Sequence, residues 1–339
     1  MKALLRLVAV LILLAVAAAG FVVWQISELD QRVLLPETET VEFEVVRGSH
    51  VSGLLREWQA KRWLSQSPWW RLWLRANPEF QSIKAGTYLI KRGESLRSLL
   101  QRMSAGDVIH YSVTFVEGWN IRDVRAALKN ARKLKQTIVA MSDAELMQAL
   151  GKPELHPEGQ FFPSTYSYTE RMTDLDVLAE AHRVMTTVLA EEWDKRAPGL
   201  PYTSAYEALI MASIVEKETG LASERPDIAG VFVRRLQKGM RLQTDPTVIY
   251  GMGAGFNGNI RKVDLQTDTP YNTYTRGGLP PTPIAMPGRE AIAAALNPAA
   301  GDYLYFVARG DGSHVFSATL EQHNAAVREY QLKRRVRGR

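Results

Sequence analysis

The chain has 339 residues, 46% of them hydrophobic, a formal net charge of +6 and no cysteine. Disulfides and thiolate chemistry are therefore excluded, and so modest a charge gives no reason to expect nucleic acid as a partner. Beyond the first 40 residues about 300 remain, enough for one large domain or two smaller ones around real cores.

Residues 7–26 read LVAVLILLAVAAAGFVVWQI, without a charged side chain. About 20 apolar residues are what a helix needs to cross the hydrocarbon core. Lys2 and Arg6 precede the run, whereas Glu28, Asp30 and Arg32 follow it. The bias predicts a cytoplasmic N-terminus, a single pass through the inner (cytoplasmic) membrane and a periplasmic location for the rest. A cleaved signal peptide is the rival reading, since Ala17-Ala18-Ala19-Gly20 offers small residues. The run continues through Phe21, Val22, Val23 and Trp24, which favours retention as an anchor. Residues 27–40 are largely polar and acidic, contain Pro36 and read as a stalk reaching at most about 50 Å.

A pattern then recurs: an alternating strand, a glycine, and apolar spacing of three and four. It covers residues 41–47 with Gly48 and Val51-x-x-Leu54-Leu55, residues 87–92 with Gly93 and Leu96-x-x-Leu99-Leu100, and residues 111–117 with Gly118 and Ile121-x-x-Val124. Period two followed by helical spacing predicts strand-to-helix joints, with glycine supplying the turn. Residues 41–92 thus read strand, helix, helix, strand. Trp58, Trp63, Trp69, Trp70 and Trp73 lie in the middle, read as core, with rings stacked on sugars as the alternative. This βααβ segment resembles a LysM module, which implies a subdomain over residues 41–110 that binds N-acetylglucosamine-containing glycans.

Residues 111–339 form the second predicted domain. Helices are expected over residues 121–188, interrupted near Pro153, Pro157 and Pro163, and over 204–219, 226–238 and 319–333, with strands at 303–308 and 314–317. Without regular β-α-β-α alternation, the fold class is α+β. Lys333, Arg334, Arg335, Arg337 and Arg339 end the chain as a basic tail, read as solvated.

Several attractive sites fail. The six histidines make no HExxH or comparable pair, so no metal site is expected. Residues 253–258 match GxGxxG, but no clear strand precedes them and no apolar helix follows, so a surface loop is expected rather than a dinucleotide site.

The helix SAYEALIMASIVEKETG places Tyr206, Leu209, Ile210, Ser213 and Ile214 on one apolar face. Glu218 falls at the end of an apolar stripe and in the last turn. Burial and the negative end of the helix dipole both push its pKa up, as a proton donor near neutral pH requires. Glu216 points elsewhere, but placement alone does not exclude it. Asp245 is expected as N-cap of a new helix with Pro246 at its first position, which leaves Gln243 and Thr244 unexplained. Residues 269–281 form a long polar loop carrying Tyr271, Asn272 and Tyr274, suited to an amide-bearing sugar or to turn chemistry alike.

The segments MASIVEKET at 211–219, RLQTDPTVIYG at 241–251 and YNTY at 271–274 closely resemble the YceG-like family of endolytic murein transglycosylases. KAGTY at 84–88, EGQFFP at 158–163 and YLYFV at 303–307 extend the likeness from the anchor to the last helix. Ser164 stands where the family commonly has aspartate, which puts any role of that position in doubt. The resemblance implies a cofactor-free lyase that cleaves the MurNAc-β-1,4-GlcNAc bond inside nascent peptidoglycan strands and leaves 1,6-anhydro ends. It assigns Glu218, the second glutamate of the EKE run, as catalytic acid, and implies positioning roles for Gln243, Asp245, Tyr271, Asn272 and Tyr274. Glycan strands and the membrane are the expected partners, with cell-wall synthases as further candidates. A hydrolytic muramidase and a non-catalytic glycan-binding scaffold remain as rivals.

Overall fold

The computed structural model describes residues 2–30, 32–35 and 38–332; Gln31, Pro36 and the basic tail lie outside them. The chain divides into two compact units, Met1–Tyr111 with Thr169–Arg171, and Ser112–Tyr168 with Met172–Arg339.

The first unit opens with α1 (Lys2–Asp30), whose mean hydropathy and length suffice to cross a membrane. It continues through β1 (Thr40–Val45), α2 (Val51–Ala60), α3 (Trp70–Ala76), β2 (Gly86–Lys91) and α4 (Leu96–Ala105). β1 and β2 pair antiparallel, from Thr40 opposite Lys91 to Val45 opposite Gly86. The glycine joints do what the pattern requires: Gly48, Gly93 and Gly118 have φ of 88°, 81° and 78°, a region costly for side-chain-bearing residues. Trp58, Trp70 and Trp73 are buried among Phe43, Phe80, Tyr88 and Leu99, while Trp63 and Trp69 pack on the edge of that core.

The expected stalk is in good part absent. Its first residues prolong α1, and Leu29 and Leu34 are 1% and 0% exposed within the core. Asp30 accepts from Trp73 Nε1 at 2.6 Å and from Arg97, and Leu34 exchanges backbone hydrogen bonds with residues 93 and 94. Apolar residues spaced too irregularly to register as helix or strand thus fill the hydrophobic core.

The second unit holds β3 (Tyr111–Thr114, from Ser112 onward), α5 (Ile121–Lys129), α6 (Asp143–Ala149), β4 (Thr165–Tyr168), α7 (Asp174–Asp194), α8 (Ala205–Glu218), α9 (Arg225–Gln237), α10 (Asp245–Met252), α11 (Lys262–Gln266), α12 (Arg289–Leu296), β5 (Tyr305–Ala308), β6 (His314–Ser317) and α13 (Leu320–Val327). A π turn, Arg328–Leu332, follows α13. β3 pairs with β4, and β5 with β6 as an antiparallel hairpin. Capping boxes at Asn120/Asp123, Ser142/Glu145 and Thr173/Asp176 start α5, α6 and α7.

α8 is the axis of this unit. All residues from Ala208 to Val215 are buried, so the helix is apolar all round rather than on one face, because α7, α9, α10 and α12 surround it. Its one buried hydroxyl, Ser213, donates to Ile210 O at 2.7 Å and accepts from Ile284 N at 3.0 Å.

Removing residues 29–35 should therefore cost more than reach. A chain starting at Thr40 loses two fully buried leucines, each worth roughly 1.5–3 kcal/mol, and the partner of Trp73. Its urea midpoint should fall well below that of a chain starting at Gln25; equal midpoints would show that these residues add nothing to the core.

Candidate active site

α8 ends at Glu218, and Thr219 leaves it in extended conformation (φ −144°, ψ 137°). The two glutamates of its last turn serve different surroundings. Glu216 has a side chain 6% exposed, accepts from Gly288 N at 3.0 Å and lies 3.4 Å from the guanidinium of Arg225. It is a buried strut between α8, α9 and the start of α12. Glu216 thus points away from Glu218, as its spacing on the helix requires.

Glu218 meets the start of α10. The N-cap of that helix is Thr244, not Asp245, with Pro246 in the first turn. An N-cap hydroxyl ordinarily accepts from the second or third amide of its helix. Thr244 makes no such cap; its Oγ1 donates instead to Glu218 Oε1. Asp245, one residue on, accepts from Tyr274 OH at 2.6 Å. The 271–274 loop fixes this corner: Thr273 Oγ1 accepts from Thr244 N at 3.1 Å, and Gln243 N donates to Thr273 O at 3.2 Å. Gln243 has φ of 53°, a left-handed conformation that costs a side-chain-bearing residue about 1–2 kcal/mol. Its Oε1 accepts from Arg235 of α9, whose guanidinium is buried and stands 5.5 Å from the Tyr305 ring.

These groups line one cavity of about 560 Å³, with Glu218, Gln243, Thr244, Asp245 and Tyr274 on one side. β5, β6 and α13 contribute Tyr305, His314, His323 and Asn324. Tyr305 and His323 stack at 5.2 Å, and His314 Nδ1 lies 2.7 Å from Glu224. The walls mix aromatic faces with amide and hydroxyl groups, the composition a sugar-binding groove needs.

Burial pushes the Glu218 carboxyl up to about 7; the Thr244 hydroxyl opposes the rise and the Asp245 charge adds to it. The folded state therefore holds this proton more tightly than the unfolded chain. That stabilisation is complete below the ordinary value of 4.5 and is lost as pH rises through about 7, roughly 3 kcal/mol in all. Burial lowers the Arg235 pKa. A second acid, Glu158, is also pushed up to about 7 by burial, but does not line this cavity. It receives Ile121 N at 3.1 Å and Tyr250 OH at 3.0 Å, joining the start of α5 to α10.

Of the residues singled out in the sequence, Glu218, Gln243, Asp245 and Tyr274 converge. Tyr271 and Asn272 do not line the cavity. Tyr271 packs its ring on Tyr250 at 4.8 Å and bonds Thr282. Asn272, 1% exposed, donates to the carbonyls of Asp264, Leu265 and Thr267 and accepts from Tyr274 N, which makes it the internal brace of its loop. Thr244 was noted only as unexplained, without its bond to Glu218, and Arg235, Tyr305 and His323 were missed as site residues. Arg235 had a signal, a cation three and seven residues after the buried Phe232 and Ile228 on one helix stripe.

The YceG-like family model matches residues 43–329, and the chain belongs to that family. It is 36% identical over 264 residues to a Bacillus subtilis (strain 168) protein named endolytic murein transglycosylase, covering 73% of each. It is 28% identical over 285 residues to a protein of the same name from Streptococcus pneumoniae serotype 2, of which it spans about half (51%) and which covers 74% of this chain. A crystal structure of a yceG-like protein from Listeria monocytogenes superposes with a TM-score of 0.53 at 30% identity, covering 85% of this chain and 98% of that one.

The groups around Glu218 give opposite expectations for its titration. Asp245→Asn removes a like charge and should lower the Glu218 pKa, whereas Thr244→Val removes a donor to the carboxylate and should raise it. Carboxyl carbon shifts of labelled glutamate followed against pH would read both; shifts in the reverse directions would contradict this electrostatic account.

Proposed function

We propose that the protein is a membrane-anchored peptidoglycan lytic transglycosylase acting inside glycan strands. The observation that carries this reading is Glu218, a carboxyl at the end of α8 held by the Thr244 hydroxyl in the wall of a polar and aromatic cavity, with its pKa pushed up to about 7 by burial. A general acid works best at such a pKa. The names of the B. subtilis and S. pneumoniae relatives supply the substrate class.

In this mechanism protonated Glu218 gives its proton to the glycosidic oxygen between N-acetylmuramic acid and N-acetylglucosamine as the bond breaks. The resulting carboxylate then takes the proton of the sugar's own C6 hydroxyl, whose oxygen closes a 1,6-anhydro ring. The proton balance is closed and no water enters. A second catalytic carboxylate, standard in glycosidases, is unnecessary, because the nucleophile belongs to the substrate. Thr244 holds the Glu218 carboxyl, Tyr274 and Asp245 fix the adjacent wall, and Gln243 presents an amide beside Arg235. Tyr271 and Asn272 act from behind, by shaping the loop that carries Tyr274.

The anchor places the catalytic unit outside the cytoplasm next to newly made strands, and the cut terminates their growth. The βααβ segment of the first unit serves as a LysM-like strand holder, and cell-wall synthases are the partners this location brings within reach.

Glu218→Gln keeps the shape and the Thr244 hydrogen bond but removes the transferable proton. Release of anhydro-ended products from uncrosslinked strands should fall by about 10²-fold or more. The same variant should unfold at a higher temperature than the parent above pH 7, since it no longer holds a proton that solvent would take. Glu216→Gln should do the reverse, keeping turnover per folded molecule while lowering the thermal midpoint through its weakened Arg225 pair. Near-normal turnover in Glu218→Gln, or strands bound but never shortened by the parent protein, would refute the proposal.

A further inference from the structure

α1 does not merely precede the first unit; it runs into its core. Leu29 is 1% exposed and Asp30 is held by Trp73 of α3 and Arg97 of α4, so the last turn of the helix is itself part of the packed core. The direction of α1 is thereby fixed relative to α3. Trp69, just before α3, packs its ring edge-on against Phe21 of α1, with centroids 6.4 Å apart, and Phe21 in turn lies 6.0 Å from Trp24.

That contact sets a depth. The apolar run ends at Ile26, and Phe21 lies five residues before it, about 7.5 Å along a helix rising 1.5 Å per residue. A ring packed on Phe21 therefore lies at the outer margin of the hydrocarbon, where tryptophan is enriched because its body is apolar and its N–H wet. α3 starts at the next residue. It exposes Leu72 (37%), three positions from Trp69 and so on the same face, together with Arg71 and Arg75, and residues 67–77 contain no acid. Apolar side chains at that level with arginines alongside are the composition of a segment lying in a membrane interface, its cations reaching lipid phosphates.

We propose that residues 67–76 are a second membrane contact, with Trp69 and Leu72 in the interface and Arg71 and Arg75 on phosphates, so that the first unit lies on the bilayer. The proposal rests on the reading of α1 as a membrane anchor. The occupant is lipid rather than protein, because the lipid-facing flank of α1, where Phe21 and Trp24 are 52% and 58% exposed, is continuous with Trp69. Attachment at two points restricts swivelling about the anchor and holds the βααβ segment at a fixed height above the membrane.

The absence of cysteine makes the test clean. The full chain in lipid nanodiscs containing anionic phospholipid would carry one environment-sensitive label at a time, at Leu72→Cys or Arg75→Cys, with Leu13→Cys and Glu28→Cys as depth references. Nitroxide at the lipid headgroup should quench the Leu72 and Arg75 labels at least as strongly as the Glu28 label. Aqueous iodide should quench the Leu72 label several-fold less than in the urea-unfolded chain. A Leu13 label open to iodide would overturn the anchor reading and this proposal with it. A shielded Leu13 label with Leu72 and Arg75 labels open to iodide and indifferent to lipid nitroxide would overturn the second contact alone. Shielding of Leu72 from both quenchers would identify a second copy of the chain as the occupant and overturn the lipid assignment.

Discussion

A carboxyl that keeps its proton near neutral pH must be largely withdrawn from water and kept from cations, and the architecture around Glu218 follows from that constraint. Burial at the end of α8 raises its pKa, and a single hydroxyl, Thr244, holds it. A guanidinium lines the same cavity, and pairing with it would draw the carboxyl into its charged form. Arg235 is instead engaged by the Gln243 amide and the Tyr305 ring. The left-handed backbone at Gln243 and the forgone cap at Thr244 are local costs that accompany this arrangement. Gln243 and Thr244, neighbours in sequence, thus both break a local rule beside the proposed acid.

The two glutamates of the EKE run show how position sorts identical side chains. Glu216 and Glu218 lie on different sides of one helix end, so one meets Arg225 and the Gly288 amide while the other meets a threonine. The first is bound into an ion pair that ties α8 to α9. Burial raises the pKa of both, but only the second faces the cavity.

Much of the fold was legible because it rests on local periodicity. The alternating residues 41–45 and 87–91, the left-handed glycines after the first three strands, α8, α9 and the existence of β5 and β6, though not their pairing, could be read from the sequence. Residues 29–35 could not, since Leu29 and Leu34 fill a core through tertiary contact without any repeat. At the site, Glu218 was legible as an acid closing an apolar stripe, whereas its partner was not. Reading Asp245 as N-cap followed composition, but the helix starts one residue earlier, and the hydroxyl of its actual N-cap, Thr244, bonds Glu218. Asn272 and Tyr271 resembled groove residues by type, and only packing shows that they brace the loop from behind. His314, His323 and Tyr305 reach the cavity through the C-terminal hairpin and helix, a closure between segments far apart in sequence that spacing does not encode.

One carboxyl group, acting in turn as acid and base with no water in the reaction, is the central claim, and the origin of the new chain end tests it most directly. Uncrosslinked strands would be digested by the purified full-length protein in water enriched in heavy oxygen, and the released muropeptides weighed. The expected ends are lighter than reducing ends by one water and carry no heavy oxygen. Reducing ends that incorporate one heavy oxygen atom would show that water attacks, and would contradict the assignment of the substrate's C6 hydroxyl as nucleophile.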